Sequence, residues 1–160
     1  MTGSLIAIVA ALLLTGCAVN TGTQGSPERR LLSAKQATQA AERSLLDLIP
    51  AGDVESVLQP EDGAVLRCAS QYRWSGNVRI KLTSGTAGAE ARDALARAAS
   101  DHGFSVSKEK MLSGDVSYQM IDDNRVQLIV TVRDGGGALN VDSGSPCFDL
   151  PNDFDVPLNY

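Results

Sequence analysis

The chain has 160 residues, a formal net charge of −5 and 43% hydrophobic residues. That is one domain's worth of sequence, long enough to bury a hydrophobic core without depending on metals or many disulfides. The acidic balance argues against nucleic acid as a partner, because no surplus of basic side chains is present to neutralise phosphates. It also argues against the folded domain itself lying on an anionic membrane surface.

The apolar run Leu5–Leu14 would cover roughly 15 Å as a helix, against ~30 Å for a bilayer core. That length suits the h-region of a secretory signal rather than a membrane span. The run ends in Leu14-Thr15-Gly16-Cys17, which resembles the lipobox of bacterial lipoproteins. The resemblance implies that the Cys17 thiol takes a diacylglyceryl group, that signal peptidase II cuts between Gly16 and Cys17, and that Cys17 becomes the lipidated first residue. Residues 1–16 are then a signal peptide, 17–25 the lipidated cysteine with a flexible tether, and 26–160 a single globular domain. Stable anchoring takes about two acyl chains, which a diacylglyceryl group supplies. The expected location is the outer face of the cell membrane. Of the three cysteines, assigning Cys17 to lipid leaves Cys68 and Cys147. In an oxidising compartment that pair is expected to form a disulfide, the alternative being two buried free thiols.

Past the tether, Ser26-Pro27-Glu28 is a helix start: an N-cap hydroxyl, Pro at the first helical position and an acid in the first turn. Leu31, Ala34, Ala37, Ala41, Leu45, Leu48 and Ile49 follow at near-helical spacing, until Pro50 and Gly52 end the element. From Gly63 the period changes to two. Leu66, Cys68, Tyr72 and Trp74 are expected on one face of a strand, with a turn at Ser75-Gly76-Asn77 leading to a second strand of Val78, Ile80 and Leu82. Thr86 is expected to cap an Ala-rich helix over 87–102, with Ala91, Ala94, Leu95, Ala98 and Ala99 as its packing stripe and Gly103 at its end. Four short strands come next, around Phe104 and Val106, then Val116 to Met120, Val126 to Val132, and Leu139 to Val141. Turns at Asp122-Asp123-Asn124 and Asp134-Gly135-Gly136-Gly137 separate the last three. Alternation of apolar and polar residues leaves one sheet face buried and one wet. The expected fold is therefore α+β, a two-layer sandwich of one mainly antiparallel sheet with two helices on one face, in the order α-β-β-α-β-β-β-β.

The same sequence offers little catalytic chemistry. Its one histidine, His102, falls in the last turn of the second helix, where a cation suits the helix dipole. No Gly-x-Ser-x-Gly elbow accompanies it, and a single His with distant cysteines does not make a zinc site. The Asp-Gly-Gly-Gly run lacks the Lys-Ser/Thr ending of a phosphate-binding loop and precedes a strand. Asp149, Asn152, Asp153 and Asp155 carry oxygen ligands, but their spacing is not that of an EF-hand, and Pro151 and Pro157 give the tail an extended, solvated character. No metal and no cofactor are expected. Trp74, with Tyr72 beside it, is the candidate binding residue: a Trp near a strand end can stack on a sugar or anchor an interface, though the register places it on the core side. The late Ser143-Gly144-Ser145-Pro146-Cys147 segment and the Ala/Gly/Val-rich composition resemble small uncharacterised lipoproteins of high-GC Gram-positive bacteria, a resemblance that implies no activity. The expected role is a membrane-anchored, non-catalytic binding or assembly module for an envelope protein or small ligand. The alternative is a small-ligand or lipid carrier with a pocket between sheet and helices, lined by Leu31, Leu45 and Val130.

Overall fold

The structure, a computed structural model, describes residues 25–160. Cys17, the signal segment and nearly all of the tether lie outside the described residues. Helix α1 spans Pro27–Leu46 and helix α2 spans Gly88–Asp101. The strands are β1 (Val54–Leu58), β2 (Ala64–Cys68), β3 (Gln71–Leu82), β4 (Ser105–Lys110), β5 (Val116–Ile121), β6 (Gln127–Arg133) and β7 (Ala138–Gly144). They form one antiparallel sheet in the order β1-β3-β7-β6-β5-β4, with β2 also paired to β3. This is the expected α+β class with the expected succession of helices and strands, except that three strands rather than two stand between the helices.

Both helices lie on one sheet face, and a single apolar cluster joins them to it. Ala41, Leu45 and Ile49 from α1 and Leu95, Ala96 and Ala99 from α2 meet Val78, Ile80, Met120, Leu128, Val130, Leu139 and Val141. The opposite face is a ladder of amides: Asn77 Nδ2 donates to Asn140 Oδ1 at 2.8 Å and to Asp142 Oδ1 at 3.0 Å, and Gln127 Nε2 donates to Gln119 Oε1 at 2.8 Å. Alternation along the strands produces both faces at once, since successive side chains point to opposite sides.

The expected strand through Leu66 and Trp74 is two strands. Cys68 pairs with Gln71 across a two-residue turn in which Ala69 has φ 56°. Leu66 consequently pairs with Arg73 and points to the uncovered face, 47% exposed, away from Trp74. The expected turn at Ser75-Gly76-Asn77 is the middle of β3, which runs unbroken. Packing explains these turn-like residues. A Cβ on Gly76 would come within 2.5 Å of the Trp74 ring and 2.9 Å of Glu42 Oε1, so the glycine makes room for an indole. Ser75 Oγ donates to the Ser143 carbonyl and Asn77 joins the amide ladder. Helix α2 is rotated from its expected stripe: Gly88, Arg92, Leu95, Ala96 and Ala99 are buried and Ala94 is exposed. The Arg92 guanidinium lies along the helix, donating to the Val116 carbonyl and to Asp93 Oδ1, so a charged residue occupies the apolar side. Thr86 does not cap α2; its hydroxyl donates to Asp53 Oδ1 at 3.2 Å.

Candidate functional site

Helix α1 begins as its sequence dictates. Ser26 Oγ accepts the Arg29 N–H, Pro27 occupies the first turn, and Leu31 is fully buried. The N-terminal half of α1 does not pack on the main apolar cluster. It packs on the segment that follows β7. That segment is held against the start of β3 by main-chain pairs: Ser145 N–H to Trp74 O at 2.9 Å, Phe148 N–H to Tyr72 O at 2.8 Å, and Tyr72 N–H to Phe148 O at 2.9 Å. The Cys68–Cys147 disulfide, with Cα atoms 6.1 Å apart, fixes it from the other side. The disulfide expected between Cys68 and Cys147 is thus present.

Between this segment and α1 lies a cleft of about 730 Å³. Its floor is Ser33, Ala34 and Ala37 of α1; Pro146, Cys147 and Phe148 form one wall, and Leu32 and Gln36 stand at the rim. Gly25, Arg29 and Arg30 close the end nearest the start of α1. Arg30 is held there by two carbonyls, donating from Nε to Gly25 O at 2.8 Å and from Nη1 to Asp149 O at 2.6 Å. Carbonyls orient a guanidinium without neutralising it. The Asp149 carboxylate, also in the lining, accepts from Gln71 Nε2 at 3.1 Å. At the far end, Ala37 and Asn124 are shared with a second hollow of about 260 Å³ that reaches His102, Asp122 and Asp123. Those polar groups are engaged locally. Asp122 Oδ1 accepts the Val126 N–H at 2.7 Å, and His102 Nδ1 lies 2.8 Å from the Ala98 carbonyl at the end of α2.

Neither candidate binding residue lines the cleft. Trp74 is 1% exposed and donates from Nε1 to the Tyr160 carbonyl at 2.9 Å, so its indole is a core group and offers no open stacking face. Tyr72 is half-buried, with the Arg67 guanidinium 5.3 Å from its ring centroid. The space between sheet and helices that a carrier pocket would require is filled: Leu31, Leu45 and Val130 are each buried to 1% exposure or less. The concavity lies instead between α1 and the segment after β7, where it takes in Ala34 and Ala37 at the N-terminal end of the apolar stripe together with polar residues beside them. The only local signal for it is the pair Pro146 and Phe148 following a strand of small residues. Among the described residues, no group of three or more His, Cys, Asp or Glu side chains gathers as a metal site, and no helix is long and apolar enough to cross a membrane.

No family model matches the chain, and no curated protein is similar to it. Among solved structures it is similar to a DUF4853 family protein from Actinomyces odontolyticus ATCC 17982, at 14% identity and a TM-score of 0.43, over 84% of this chain and 78% of that one. A likeness at that level identifies neither family nor function.

Proposed function

We propose that the chain is a lipid-anchored binding module of the cell envelope, with Cys17 as the attachment point, the α1 cleft as the binding site and no catalytic chemistry of its own. The observation that carries this reading is the position of the cleft at Gly25, where the chain coming from Cys17 enters the described fold. The intervening residues span at most about 30 Å when extended, so a ligand in the cleft would be held close to the bilayer. A non-catalytic role is supported by the character of the lining, which combines arginines, amides and apolar walls, and by His102 lying at the end of α2 against a main-chain carbonyl.

Intact mass spectrometry of the membrane-extracted protein should give a chain starting at Cys17 with added lipid. Cys17→Ser should move the protein to the soluble fraction. A lipid-free chain starting at Met1 would overturn the anchoring.

A further inference from the structure

We propose that the α1 cleft binds an anionic phospholipid, with the phosphate on Arg29 and Arg30 and one acyl chain laid across Ala34, Ala37 and Phe148. The inference rests on the membrane-anchored reading and adds the chemistry of the ligand. On a chain of net charge −5, the cleft carries two arginines against one carboxylate, that of Asp149. Among the described residues neither arginine pairs with an acid. Arg30 has most of its five donors left after its two carbonyl bonds, and Arg29 packs its stem against Gly25 and leaves its head exposed. A guanidinium matches phosphate oxygens in bidentate fashion, and the lining offers two of them. Beside it, Leu32 is 41% exposed at the rim and the walls are apolar, so headgroup chemistry and acyl chemistry are juxtaposed. A volume of about 730 Å³ lies within the ~300–1,000 Å³ usual for small-ligand sites. The arginine end is also the end nearest the tether, where an anchored domain meets anionic headgroups. Overall acidity thus conceals a local site of opposite sign.

The test is native mass spectrometry of the detergent-extracted full chain, titrated separately with lysophosphatidylglycerol, lysophosphatidylcholine and inorganic phosphate. The expected result is a one-to-one complex with lysophosphatidylglycerol, roughly tenfold or more weaker binding of the zwitterionic lipid, and no phosphate binding in the same range. Arg29→Ala should erase the preference for the anionic lipid, and Ala34→Trp, which fills the floor, should weaken both lipids. Equal affinity for the two lipids, phosphate binding as tight as lipid binding, or an Arg29→Ala chain with unchanged preference would each overturn the proposal. Circular dichroism identifies an Ala34→Trp chain that has failed to fold, and the Arg29→Ala arm then decides alone. If the intact mass shows no lipid on Cys17, the anchoring fails while the titration still reports on the cleft.

Discussion

Beneath α2 the sheet is packed with aliphatic side chains, Leu95, Ala96 and Ala99 meeting Met120, Leu128 and Val130, whereas where α1 carries the buried Glu42 the sheet presents Trp74, Gly76 and Ser143. The first region is held by non-directional burial and by strands that follow one another closely in sequence. The second is held by directional contacts between distant segments. The buried Glu42 carboxylate accepts from the Ser143 hydroxyl, 101 residues away, and from Gln59 Nε2. The Trp74 indole reaches Tyr160 over 86 residues, and the disulfide spans 79. Apolar packing tolerates many equivalent arrangements of similar volume, but a buried carboxylate needs its donors in place. The α1 region is therefore the one whose geometry is specified, and it is also where the cleft opens.

Reducing the Cys68–Cys147 bond gives the largest test of this contrast. Loop-closure entropy puts its contribution at about 4 kcal/mol. Hydrogen exchange should then rise in β2, the first half of β3 and the 145–160 segment while β5 and β6 stay protected. Uniform loss of protection would show that the two regions are one cooperative unit and break the comparison.

Ser143→Ala comes next. It removes a donor from a buried carboxylate and should cost about 1–3 kcal/mol in denaturant unfolding, more than trimming an exposed hydroxyl on the amide face. A cost near zero would mean that water or Gln59 replaces the bond.

The smallest effect belongs to Glu28, where a contact is purely local. Its own backbone N–H first, and the Ser26 hydroxyl second, hold this exposed carboxyl below its ordinary pKa. A depressed carboxylate stabilises the fold above its unfolded-state pKa, and the contribution fades as pH falls through the lowered folded-state value. Glu28→Gln should lower the melting temperature slightly at neutral pH and not at all in acid. Equal losses at both pH values would trace the effect to something other than charge.

Residue by residue, legibility followed range of interaction. Val126 to Val132 reads as a strand because alternation is a local period, and the structure has β6 there. Ser26-Pro27 reads as a helix start because capping is settled within one turn. Ser75-Gly76-Asn77 misleads, since the demand for glycine comes from the Trp74 ring and Glu42 rather than from backbone curvature. The expected stripe of α2 misleads as well, because only the neighbouring strand reveals the carbonyl that receives the Arg92 guanidinium and lets it turn inward.

Element types, the α+β class and the division into a wet and a dry sheet face follow from period and composition alone, because those signals depend on neighbours a few positions apart. The cleft has no such origin. It exists because the segment after β7 returns over α1, with Arg30 bonding Asp149 across 119 residues, and no local pattern encodes a contact of that length. Folding brought those residues together, and with them two arginines against one carboxylate on a chain of net charge −5.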